Sequence, residues 1–185
     1  MFRPTLISIL ITFSSNLFAQ SYKDSIETQF LRYTDLLVKR DFTKSMDYIN
    51  SGFFKIIPKE QLIIVIEKTY NNPALDFKIE NPLIVSISDI KIIDEKSFVK
   101  LQYSNYLSMH FKNDGMKQDT ALTKKALQSQ FGQYNVTYNA LIDTYRVFVI
   151  KNVIANSIDR RNWTFVVVEE KQKPLLEKFI PKELL

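Results

Sequence analysis

Apolar and polar residues recur along this chain with two different periods, and the change of period falls near residue 76. Before it, Ile26, Phe30, Tyr33 and Leu37 follow one another at steps of four, three and four. Lys23, Asp24, Glu27, Arg32 and Lys39 fall between them. That spacing predicts an amphipathic helix over residues 22–40. Asp41 then precedes a shorter helix over 42–49, which Asp41 or Thr43 would cap by accepting backbone N–H bonds, and Ser51-Gly52 ends it. Pro58 stands where a first helical position would be. Residues 61–70 put Leu62, Val65, Ile66 and Thr69 on one face before Asn71-Asn72-Pro73 stops the helix.

After residue 76 the period falls to two. Phe77 and Ile79 alternate with Lys78 and Glu80, Pro82 breaks the run, and residues 83–93 are apolar and β-branched up to a turn at 94–97. Val99, Leu101, Tyr103, Asn105, Leu107, Met109 and Phe111 then take every second position of a long half-buried strand. Asn113-Asp114-Gly115 is turn chemistry. Residues 120–131 read as a short helix with Gly132 at its end, 145–158 as another long strand, and 163–169 as its hairpin partner across a turn at 159–162. A short amphipathic segment over 174–179 precedes Pro181. No internal repeat or linker interrupts the order, which predicts one α+β domain, with N-terminal helices packed in the concavity of a curved, mainly antiparallel sheet.

The first residues have a different character. Arg3 precedes an apolar run from Leu6 to Phe13, followed by Ser14-Ser15-Asn16 and the small residue Ala19. This is the order of a cleavable secretory signal over residues 1–19. The run is too short and too often interrupted by Ser and Thr for the roughly 20 apolar residues of a bilayer span. The expectation is a periplasmic or secreted protein comprising residues 20–185, with no membrane anchor. The chain has no cysteine, which rules out a lipid-modified signal, disulfides and thiolate metal sites. Its net charge of +5 becomes +4 without Arg3. The basic residues lie singly or in pairs such as Lys124-Lys125, which speaks against nucleic-acid binding.

Three short segments carry a family likeness. They are Leu37-Val38-Lys39-Arg40-Asp41-Phe42 at the first helix turn, Arg161-Asn162-Trp163-Thr164-Phe165 in the last strand, and the proline-containing ending Phe179-Ile180-Pro181-Lys182-Glu183-Leu184-Leu185. With the order of elements, they make the chain resemble the nuclear transport factor 2-like superfamily. That resemblance implies a cone of sheet and helices with a pocket at its open end. The helix over 120–131 departs from the minimal family plan. The superfamily includes isomerases, dehydratases, hydrolases and proteins that only bind, so the resemblance implies a fold and leaves the function open.

Few residues carry candidate chemistry. His110 is the only histidine, no Gly-x-Ser-x-Gly turn is present, and the three glycines are too scattered for a phosphate loop, so neither a metal nor any other cofactor is expected. Asp35, Asp41 and Asp47 read as surface or capping residues. In the isomerases and dehydratases of the superfamily a carboxylate and tyrosines inside the cone do the work, and Tyr33, Tyr48, Tyr103 and Tyr106 are the phenols available. The inward series of the long strand has one amide, Asn105. Tyr33, Tyr103, Asn105 and Trp163 are therefore the expected ligand-binding residues of an apolar cavity. The resulting expectation is a non-enzymatic module holding a small apolar ligand or a protein partner. The alternatives are an isomerase- or dehydratase-type enzyme and a structural homodimer. Phe148, Ile150 and Ile154, on the outer sheet face, predict a homodimer through that face.

Overall fold

The computed structural model describes the backbone of residues 10–112 and 120–185, with side chains from Tyr22 onward. Helix α1 spans Leu10–Val38. The expected signal segment and its cleavage point after Ala19 lie outside the residues whose side chains are described. Helix α2, Phe42–Ser45, continues into a 3-10 turn, Met46–Tyr48. Asp41 caps α2, its carboxylate accepting from the Lys44 N–H at 3.2 Å, as the sequence leads one to expect. Helix α3, Lys59–Tyr70, begins directly after Pro58. Among the described residues no helix is long and apolar enough to cross a membrane.

Six antiparallel strands then form one curved, open sheet. They are β1 (Leu75–Ile87), β2 (Lys91–Ile93), β3 (Lys96–Phe111), β4 (Val136–Asn139), β5 (Thr144–Ser157) and β6 (Thr164–Val168), with helix α4 (Thr120–Phe131) between β3 and β4. β3 and β5 are the central pair. β1 and β2 share the outer edge of β3, while β4 and β6 share the far edge of β5. Pro82 does not end β1, contrary to the sequence reading. The register slips between Glu80 and Leu83, with Asn81 at φ 50°. On an edge strand such a bulge carries the residue without an N–H past the ladder. A second slip between Ile84 and Ser86 adds to the bend, since bulges increase local twist and curvature.

The two faces of the sheet are covered by different parts of the chain. On the concave face Ile26 and Phe30 of α1 are fully buried against Val99, Leu101, Val153, Ala155, Trp163 and Phe165. At the other end of that face Leu127 of α4 packs on Met109, Val136, Tyr145, Val147 and Val149. The convex face is partly covered by the C-terminal segment, where α5 (Lys173–Leu176) and the 3-10 turn Lys182–Leu184 lie. Leu176, Ile180 and Leu184 are buried there on Phe98, Ile154 and Val166. Each such side chain is worth about 1.5–3 kcal/mol when removed from water, so three of them hold the segment down. Ile154 is therefore taken by the chain itself, while Ile150 of the same face stays half exposed. On α3 the expected stripe is rotated. Val65 and Thr69 face solvent, whereas Leu62, Ile66 and Tyr70 are turned toward the protein.

Candidate functional site

Alternation along β3 places Tyr103 and Asn105 on the concave face, and α1 brings Tyr33 over it. Asn105 is 3% exposed, and its Nδ2 donates to the carbonyl of Tyr106 at 3.2 Å. The ring of Phe30 lies 4.9 Å from that of Tyr103 and 6.1 Å from that of Tyr33. Tyr33 also stacks on Phe165 at 6.2 Å. Trp163 is a core residue, 2% exposed. Its backbone N–H donates to Gln29 Oε1 at 2.9 Å, and it does not line the space beside Tyr33.

That space is a cavity of about 150 Å³ between α1, α3 and β6. Its walls include Tyr33, Ile49, Phe53, Leu62, Ile66 and Phe165, with the Gln172 side chain at the polar side. Larger grooves lie elsewhere, one of about 370 Å³ under the C-terminal segment beside Lys100 and Asn152, and one of about 580 Å³ beside Asp47, Asn156 and Asp159. Neither touches Tyr33, Tyr103 or Asn105.

Two charged residues join the concave face unannounced by the sequence reading. Lys151 is the register partner of Tyr103, so it stands on the inward side of β5 among Val147, Val149 and Val153. Its Nζ donates to Glu169 Oε1 at 2.5 Å, and both side chains are partly exposed. A signal for Lys151 exists in the sequence, because it is the one charged residue in the otherwise apolar inward alternation from 145 to 155. Glu169 ends the segment that the sequence predicts as the hairpin partner of β5, and the register of β5 with β6, Asn152 opposite Val168, brings it beside Lys151.

Tyr70, at the end of α3, is a third phenol turned inward. Its ring lies 5.4 Å from Phe77, and its buried hydroxyl has no hydrogen-bond partner among the described residues. Burial raises the hydroxyl pKa of all three tyrosines. Tyr103 is pushed up to about 12 by burial and by the negative charge of Glu169. Tyr70 is also pushed up to about 12 by burial, against the opposing charge of Arg40. Tyr33 rises further, through burial and then the neighbouring Tyr103 and Tyr70. All three remain neutral hydrogen-bond donors at neutral pH.

The other candidates stay outside this group. Asp35 pairs with Lys39 at 2.8 Å, Asp41 with Lys44 at 2.8 Å and Asp47 with Lys59 at 3.1 Å. His110 is half-buried on the opposite side of β3, with Nδ1 2.6 Å from the carbonyl of Asp143. A carbonyl only accepts, so that nitrogen carries the proton and ties β3 to the β4–β5 turn. Among the described residues no three carboxylates and histidines gather in a way that would hold a metal ion. Comparison of the chain with protein-family models, with curated proteins and with solved structures found no match.

Proposed function

We propose that the chain is an exported, non-enzymatic binding module whose cone holds a small apolar ligand, or an apolar group of a protein partner, beside Tyr33. The observation that carries this reading is the cavity of about 150 Å³ with aromatic and aliphatic walls. Ligand pockets for larger molecules run to roughly 300–1,000 Å³. An apolar space of about 150 Å³ takes a group the size of a benzene ring. Catalysis of the isomerase or dehydratase kind asks for a free carboxylate among the phenols. The carboxylate whose charge reaches Tyr103 is that of Glu169, and it is bound to Lys151.

The test is a titration of the protein with ethylbenzene, followed by NMR chemical-shift changes, on wild type and on Ile66→Phe. The larger side chain is expected to fill the space and to abolish the shifts while the protein stays folded. Shifts that persist unchanged in Ile66→Phe, or their absence in wild type, would sink the reading.

A second reading, a homodimer through the convex sheet face, is favoured by one patch. Leu83 is 64% exposed, Val85 51% and Ile150 51%. Leu83 and Ile150 both oppose Ser104 on neighbouring strands. Neither Leu83 nor Ile150 belongs to the core beneath the C-terminal segment.

A further inference from the structure

Helix α3 buries none of its 12 residues, although its middle is the aliphatic run Leu62-Ile63-Ile64-Val65-Ile66. A helix apolar on every side is normally enclosed by its neighbours. Here Ile64 and Val65 are 49% and 55% exposed, and the inward side chains of Leu62 and Ile66 line the cavity beside Tyr33. They face space where a packed helix would face atoms, and side chains on a void lose the dispersion contacts of that side.

The two ends of α3 are held unequally. At the C-terminal end the Tyr70 ring packs on Phe42 at 5.1 Å and on Phe77 at 5.4 Å, with the Arg40 guanidinium 5.7 Å from it. At the N-terminal end the described ion pair is that of Lys59 with Asp47, at 3.1 Å. Both of those side chains are exposed, and an exposed ion pair contributes little. Leu62 stands about 12 Å from Tyr70 along the helix axis, so a tilt of about 10° about Tyr70 moves it by about 2 Å and Ile66 by about half as much. A helix of this length lifted off its packing is marginal in water, so opening also frays it. Segments with few buried contacts are those that open locally, and lids are drawn from them.

We infer that α3 is a lid on the cavity beside Tyr33, anchored at Tyr70, loose at Leu62 while the cavity is empty, and drawn down when a small apolar ligand gives Leu62 and Ile66 the atoms they lack. The lid rests on the binding reading above, and it adds that occupancy of that site sets the order of α3.

Amide hydrogen exchange of the whole domain, with and without ethylbenzene, tests the lid. In the free protein the α3 amides are expected to be at least about 10-fold less protected than those of α1 between Ile26 and Leu36, with Leu62–Val65 less protected than Lys68–Tyr70. With ethylbenzene at about ten times its dissociation constant, α3 protection should rise about 10-fold, because the open form does not hold the ligand. Ile66→Phe, whose ring occupies the space, should raise α3 protection with no ligand present. An α3 as well protected as α1 in the free protein overturns the lid. So does α3 protection that stays unchanged while ethylbenzene is bound, an outcome that leaves the binding reading standing. Weaker protection at the Tyr70 end than at the Leu62 end overturns the pivot. An Ile66→Phe protein in which β3 stays protected and α3 is no better protected than in wild type overturns the role of the void. If ethylbenzene does not bind, the binding reading fails, and a loose α3 is then no lid.

Discussion

Asn105 is the polar residue whose position on the long strand most directly links sequence to site. It is the one amide in an inward apolar series and is 3% exposed. Its described bond reaches the carbonyl of the next residue. Replacement by Leu removes the polar demand and adds apolar contact, and Asn105→Leu is expected to keep or raise the melting temperature. Differential scanning fluorimetry checks this, and a fall of several degrees would reveal a network around the amide. Asp159 acts differently. It accepts from the N–H groups of Asn162 and Arg161 at 2.8 and 2.9 Å, from Asn162 Nδ2 at 2.7 Å and from Ser157 Oγ at 2.9 Å. These bonds, that of the Asn162 N–H first, hold its carboxyl well below the usual carboxylate range. A depressed folded pKa gives stability that is present above the unfolded value, about 4, and is lost as pH falls through the folded one. Asp159→Ala should therefore melt lower than wild type at pH 7, and the gap should narrow as pH drops below about 4. Melts across pH 7 to 3 decide it, and a gap that is constant with pH would show that the carboxylate charge does not matter.

At the level of elements, the C-terminal segment is held by a contact that only a glycine permits. A Cβ on Gly52 would stand 2.5–2.6 Å from the Cγ, Cβ and Cδ2 atoms of Phe179. The constraint is packing and not backbone freedom, because Gly52 has φ −62°. Gly52→Ala should push Phe179 outward and loosen Leu176, Ile180 and Leu184 from the convex face, at a cost of about 1–3 kcal/mol. Urea unfolding measures the loss, and limited proteolysis should cut the tail earlier. The double variant Gly52→Ala, Phe179→Ala should tolerate the new methyl better than the additive sum of the two changes. Strict additivity would place the effect elsewhere. Legibility also varied by element. The part of α1 from residue 22 onward, helix α4 and strands β3 and β5 were readable because each has a long, regular period. β4 was not, since four residues carry too little pattern, and it exists because β5 offers an open edge. The stripe on α3 was misread because Leu62, Val65, Ile66 and Thr69 satisfy helical spacing equally well, and what α3 packs against decides which side is turned inward.

For the whole molecule, the open question is association. The patch of Leu83, Val85 and Ile150 lies on the convex face outside the part protected by the tail, where a second copy would cover it. If it does, size-exclusion chromatography with light scattering should give about twice the chain mass, and Ile150→Lys should return it to one chain, because burying an unpaired charge is costly. A wild-type monomer at high micromolar concentration would remove the dimer reading. Export is tested separately, by the intact mass of protein made with its first residues in a bacterium. The expected chain starts at Gln20 or Ser21.

Some features of this protein followed from sequence alone. The periods of 3.6 and 2 set which segments are helix and strand, because backbone geometry couples side-chain direction to residue number. The same alternation put Tyr103 and Asn105 on one face, and the absence of cysteine excluded thiolate chemistry. The tertiary structure decided the rest. Lys151 and Glu169 are 18 residues apart, and it is the register of the β5–β6 hairpin that brings them together. The cavity beside Tyr33 needs α1, α3 and β6 together. Ile154 became core, and not interface, only when the last residues folded back over it. Each of these depends on which surfaces meet, and the residues that meet are distant along the chain, where local periodicity carries no information.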